Sequence, residues 1–144
     1  MALMLGRKKR TPETGVMRAV MQAITFKNYL WVDPKLIEKC PVEMLVQMVS
    51  QRSLKGLAWR SNTGAASSEA GNFVRFGLPG YMDITVLQVA ADRKSLRWIG
   101  IELKKAKGKL NPNQVKLHAM MNALTPGFPN AVVIRDASEL DGVI

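Results

Sequence analysis

Two carboxylates and a lysine stand at spacings that suit metal-assisted hydrolysis of a phosphodiester. Asp83 follows the turn-forming stretch Gly77-Leu78-Pro79-Gly80-Tyr81-Met82, and one residue separates Glu102 from Lys104. Alternate residues of a strand share a face, so Glu102 and Lys104 point the same way. Paired carboxylates are hard oxygen ligands, suited to Mg²⁺ or Mn²⁺. A cation held between them makes a bound water more acidic and offsets charge on the phosphate. Lys104 would orient or polarise that water and stabilise the developing anion. Zinc is not indicated, because one Cys and one His supply no ligand set. Glu-x-Lys by itself is an ordinary surface salt-bridge pattern. Here the acid follows a Gly/Pro turn, the other face of its hairpin is apolar, and the lysine-rich loop Lys104-Lys105-Ala106-Lys107-Gly108-Lys109 adjoins it.

The element that must position these groups is a β-hairpin over Tyr81–Ala90 and Leu96–Lys104, turning at Asp92-Arg93. With that turn centre Ala91 pairs with Lys94 and Asp83 falls opposite Glu102. One face then carries Ile84, Val86, Ile99 and Ile101, which suits a core, and the other carries Asp83, Thr85, Glu102 and Lys104. A slip of one residue would undo the arrangement. Asn111-Pro112 then starts a helix with Gln114 in its first turn, running through Val115, Leu117 and Met121 towards Leu124. His118 lies one turn beyond Gln114 and could approach the site, although a lone histidine reads first as a packing or surface residue.

Before the hairpin, Thr11-Pro12-Glu13 opens a helix reaching about Phe26, with Glu13 as a first-turn acid favoured by the helix dipole. Residues 27–56 read as an extra helical segment, begun at Asp33-Pro34 and broken at Cys40-Pro41. Its second apolar face would bury in the core or against a second subunit. Leu57–Asn62 reads as a short strand, Thr63–Gly71 as loop and Phe73–Phe76 as a short strand. After the Gln114 helix, Gly127 leads to the apolar run Ala131–Ile134, a buried strand, and Asp136 caps a short terminal helix reaching Ile144. Trp59, Trp98 and Phe76 are expected in the core rather than as base-stacking platforms. The fold class is α/β, a mixed central sheet with helices on its faces.

Lys and Arg total 21 against 11 Asp and Glu, a formal charge of +10 on 144 residues, which favours a polyanionic partner such as DNA. Arg60, Arg75, Lys105, Lys107 and Lys109 are candidate phosphate contacts. Residues 1–10 form a flexible basic arm ending in Arg7-Lys8-Lys9-Arg10, and 11–144 a single domain. No apolar run is long enough to span a bilayer, and the apolar-then-basic order of the N-terminus is the reverse of a secretory signal. The single Cys40 suits a reducing, cytoplasmic setting.

Gly80-x-x-Asp83, Glu102-x-Lys104 and the downstream Gln114 resemble the PD-(D/E)xK nuclease superfamily, and within it the VRR-NUC branch of virus-type replication-repair nucleases. Trp59-Arg60-Ser61-Asn62-Thr63-Gly64 is similar to the stretch that precedes that branch's first metal acid, and Glu13 falls where the family carries a helical glutamate. The resemblance covers about residues 10–24 and 57–136. Met82 stands where the family has proline, and the segment 27–56 exceeds the family's usual connection. The resemblance implies a restriction-endonuclease-like PD-(D/E)xK core. It also implies a metal held by Asp83, Glu102, the backbone carbonyl of Leu103 and Glu13. Lys104 would be the catalytic lysine, Gln114 would support the site, and Asn62 would join the nucleic-acid contacts. Small stand-alone members imply a homodimer that cuts branched DNA, including Holliday junctions. The alternatives are a non-catalytic basic DNA-binding protein and a sequence-specific, restriction-like endonuclease.

Overall fold

Five strands form one mixed sheet in the order β1-β2-β5-β6-β7. A computed structural model describes residues 12–61, 64–67 and 73–144, with side chains over 15–61 and 77–144. The elements are α1 (Pro12–Phe26), β1 (Tyr29–Trp31), α2 (Pro34–Lys39), α3 (Val42–Val49), β2 (Gly56–Arg60), β3 (Gly64–Ser67), β4 (Phe73–Phe76), β5 (Ile84–Val89), β6 (Leu96–Leu103), α4 (Pro112–Leu124), β7 (Ala131–Ile134) and a 3₁₀ turn over Ala137–Gly142. The outer pairs β1–β2 and β6–β7 are parallel, and β2–β5 and β5–β6 are antiparallel. The chain is therefore α/β, with helices flanking a mixed sheet.

The hairpin has the expected register: Ile84 pairs with Ile101 and Val86 with Ile99. All four are fully buried, in one cluster with Val20 and Ile24 of α1, Ala58 of β2 and Ile134 of β7. Odd-numbered residues of β6 thus face α1, and even-numbered ones face α4. Leu140 of the terminal turn closes the α1 side, and Lys27 ties α1 to Asp141 at 2.6 Å.

Three expectations are corrected. The segment 27–56 is not wholly helical, because Tyr29–Trp31 is an edge strand parallel to β2. Parallel neighbours cannot be joined by a tight turn, and α2 with α3 is the crossover that returns the chain. Asp33 caps α2 through Leu36 N–H at 2.8 Å, and Cys40-Pro41 separates the two helices as expected. Within the stretch expected to be loop, Gly64–Ser67 is a strand that pairs antiparallel with Phe73–Phe76 in a separate two-stranded ribbon. The terminal helix is a 3₁₀ turn ending at Gly142, capped by Asp136. Residues 1–11, with the expected N-cap Thr11 and the basic arm, Asn62, Thr63 and 68–72 lie outside the described residues. Among the described residues no helix is long and apolar enough to cross a membrane.

Candidate active site

The acids meet where the hairpin register sends them. Extending the Ile84–Ile101 pairing by one residue sets Asp83 opposite Glu102. Asp83 is a bend residue just ahead of β5, because the turn closed by Tyr81 N–H on Leu78 O at 3.0 Å delivers the chain there. Its carbonyl accepts from Ser61 N–H at 2.7 Å, and its carboxylate Oδ2 accepts from Leu103 N–H at 2.8 Å. The backbone of β6 thus fixes the Asp83 side chain. Gly80 adopts φ +81, and a Cβ there would lie 2.5 Å from the Asn113 carbonyl oxygen. The turn and the start of α4 therefore touch backbone to backbone, which only glycine permits.

Glu102 is 3% exposed. Its Oε1 accepts from Gln114 Nε2 at 2.6 Å and from the Lys104 ammonium at 3.2 Å. Its Oε2 is buried with no hydrogen-bond partner. Gln114 is itself held: its Oε1 accepts from Asn111 N–H at 2.9 Å while Asn111 Oδ1 accepts from Gln114 N–H at 2.9 Å. This capping box starts α4 and aims the free amide end of Gln114 at the carboxylate. Two residues earlier on the same face, Gly100 leaves room for Met82 and Trp98, since a Cβ at Gly100 would collide with both. Met82, fully buried, is thus an apolar neighbour of the acid. Burial first, then the charge of Asp83, push the Glu102 carboxyl from its ordinary 4.5 up to about 7, against the opposing pull of Lys104 and Gln114.

His118 lies on the same face of α4, one turn past Gln114, and is buried with Nε2 unpartnered. Burial, and then the charge of Lys104, push its imidazole below the ordinary 6.5, favouring the neutral form. The acid-bearing face also holds a hydroxyl network that the sequence does not announce. Thr85 Oγ1 lies 2.8 Å from Ser61 Oγ and 3.0 Å from Tyr81 OH. Tyr81 in turn packs on half-buried Trp98 with ring centroids 6.2 Å apart. Thr85 is on the face that strand alternation assigns it; Ser61 and Tyr81 reach that face only through the β2–β5 pairing and the turn.

Arg60 is exposed at the end of β2 and paired with Ile84, so strand alternation puts it on the Ile84 side of the sheet, opposite the face that carries the acids. Lys105, Lys107 and Lys109 are exposed in the β6–α4 connection. Arg135, which no sequence signal marks, anchors that loop by donating to the Gly108 carbonyl at 2.6 Å. Glu13 lies in α1 and Arg75 in β4, but their side chains, like all of Asn62, fall outside the described residues.

Among the described residues no three His, Cys, Asp or Glu side chains converge. Asp83 and Glu102 are two carboxylates, and Mg²⁺ is commonly held by one or two with water and phosphate oxygens completing its shell. The orphaned Oε2 of Glu102 is a buried acceptor of the kind a cation satisfies. The residues fit such an ion. Comparison of the chain with protein-family models, curated proteins and solved structures returned no match.

Proposed function

We infer that the chain is a divalent-metal-dependent DNA endonuclease built on a PD-(D/E)xK core, hydrolysing phosphodiester bonds with selectivity for branched DNA such as Holliday junctions. The observation that carries this reading is Glu102: a buried carboxylate with one oxygen doubly anchored and the other unpartnered, facing the charge of Asp83. Most buried carboxylate oxygens in a purely structural salt bridge find a hydrogen-bond partner. In this reading Asp83 and Glu102 hold Mg²⁺ or Mn²⁺, with the Leu103 carbonyl and Glu13 as the further ligands the resemblance implies. The bound cation supplies Lewis-acid stabilisation of phosphate charge and a more acidic water. Leu103 N–H keeps Asp83 oriented, and Gln114 keeps Glu102 from rotating. Lys104, its side chain 20% exposed, uses one donor on Glu102 and has others for a phosphate oxygen. The exposed lysines of the β6–α4 loop supply backbone contacts.

The same reading makes the protein a homodimer, with two sites for paired cuts. An apolar groove lined by Leu30, Val32, Leu36, Ile37, Leu45 and Val46, among others, supports it. Neither α2 nor α3 buries a residue. Over 29–50, Asp33, Glu38 and Glu43 against Lys35 and Lys39 give −1 in a chain of +10, so two copies can approach there without repulsion. Light scattering should give a dimer, and Ile37→Lys/Val46→Lys a monomer; a monomeric wild type refutes the pairing.

The deciding experiment compares cleavage of a four-way junction and its matched duplex with Mg²⁺ or Mn²⁺, for wild type, Asp83→Ala and Lys104→Ala, with DNA binding measured in parallel. Loss of cutting with retained binding in both variants is expected. Variants that cut like wild type sink the site assignment. A wild type that binds and never cuts is a non-catalytic DNA-binding protein, and equal cleavage of junction and duplex removes the branch preference.

A further inference from the structure

The far end of the β5–β6 hairpin holds a second concentration of positive charge, remote from the acids. A cavity of about 540 Å³ lies between the α3–β2 connection and the hairpin turn, with Arg52, Lys55, Asp92 and Arg93 in its wall. Lys94 lines the hollow next to it. Four cations thus surround one acid, and the Asp92 carboxylate is already engaged, accepting from Lys94 N–H at 3.0 Å. Arg93 serves the fold, since from φ +58 its guanidinium reaches the carbonyls of Leu54 at 3.3 Å and Val49 at 3.5 Å, at the end of α3. Arg52, Lys55 and Lys94 have no such role. All three are exposed, and the ion pairs among the described residues, Lys27–Asp141 and Lys104–Glu102, involve none of them. The sequence hides this cluster, because Arg52 and Lys55 are brought to Lys94 only by the β2–β5 pairing. Along β6, Leu96 is six residues from Glu102, a separation of roughly 20 Å at about 3.3 Å per residue. One phosphate cannot touch both places.

We propose that this cationic cavity is a second binding site for the DNA phosphate backbone, gripping the nucleic acid roughly 20 Å from the Asp83/Glu102 site. Concave walls and uncompensated charge fit a chain of phosphates, whose condensed counterions are released as Arg52, Lys55 and Lys94 take their place. The inference rests on the reading of the chain as a DNA-binding protein and not on catalysis.

The test is fluorescence anisotropy in EDTA, where no cutting intervenes, across a salt series. Arg52→Ala/Lys55→Ala/Lys94→Ala should weaken binding to an extended duplex at least about tenfold at low salt. It should also flatten the slope of log K against log salt by about 2 to 3, at about 0.9 for each phosphate no longer neutralised. The charge-retaining Arg52→Lys/Lys55→Arg/Lys94→Arg should keep the wild-type slope. Arg18→Ala/Lys116→Ala removes charge from exposed positions away from the cavity, the acids and the α2–α3 groove and should keep it too. A hairpin stem of about 5 base pairs, at about 3.4 Å per pair, cannot span both places and should not distinguish wild type from the first triple. An unchanged slope in the first triple overturns the proposal, as does equal flattening in the Arg18→Ala/Lys116→Ala control or equal weakening on the short stem. A wild type that binds DNA without ever cutting it defeats the nuclease reading and leaves this one standing.

Discussion

Replacing Glu102 with Gln should make the protein more stable in EDTA and, under the proposed metal-binding reading, abolish its response to the ion. The sign follows from proton linkage. An unfolded glutamate releases its proton near 4.5, whereas burial and Asp83 hold the Glu102 proton up to about 7 in the fold. Between those values the native state binds more protons than the unfolded one, so stability falls as pH rises from about 4.5 to about 7 and then levels off. From 4.5 to about 7, at about 1.4 kcal/mol per pH unit, the loss at pH 8 comes to about 3 kcal/mol. The shift is already net of Lys104 and Gln114, which oppose it. Glu102→Gln cannot ionise, so at pH 8 in EDTA it should exceed wild type by up to about 3 kcal/mol, roughly 10 °C in melting temperature. At pH 4.5 the two should converge. Urea unfolding followed by circular dichroism across pH 4.5–8 measures the difference directly, and His118, common to both proteins, cancels from it. Millimolar Mg²⁺ should then stabilise wild type at pH 8 and leave Glu102→Gln unmoved. A variant less stable than wild type at pH 8, or a gap independent of pH, would refute the account of Glu102 as a carboxylate buried ahead of its cation.

Gln114→Glu should retain the capping box but trade the amide donor on Glu102 for a second carboxylate. It should lose about 2 kcal/mol at pH 8 and regain most of it on acidification, whereas Gln114→Ala also loses the capping box and so recovers only part of its loss. Gly80→Ala meets both φ +81 and the Asn113 carbonyl; thermal melts should show a loss of about 2–4 kcal/mol, and cleavage should fall as the acids and α4 separate. Asn122 accepts from Asn130 and Ala131 N–H and donates to the Ala131 carbonyl. Asn122→Ala should cost about 2–3 kcal/mol, with faster hydrogen exchange at the Ala131 amide marking the loosened junction of α4 and β7.

What was legible in the sequence is what local chemistry controls. Asp33-Pro34 and Asn111-Pro112 mark helix starts because a cap and a proline act within one turn. The hairpin register followed from a turn centred on Asp92-Arg93, which gathers Ile84, Val86, Ile99 and Ile101 on one buried face that tolerates no slip. β1 is illegible because three residues carry no period, and its strand character comes from pairing with β2, 27 positions on. Gly64–Ser67 lacks β-branched or aromatic residues and is a strand only by virtue of Phe73–Phe76. At the site, the sequence determined by itself which groups share a face: Asp83, Thr85, Glu102 and Lys104. It did not decide their environment. The Gly80–Asn113 contact and the capping box lay α4 over that face, Met82 fills the space above Gly100, and together they take Glu102 out of water. Burial is a property of segments far apart in the chain, so only the tertiary structure could turn an ordinary Glu-x-Lys into a carboxylate with one anchored oxygen and one left unmet.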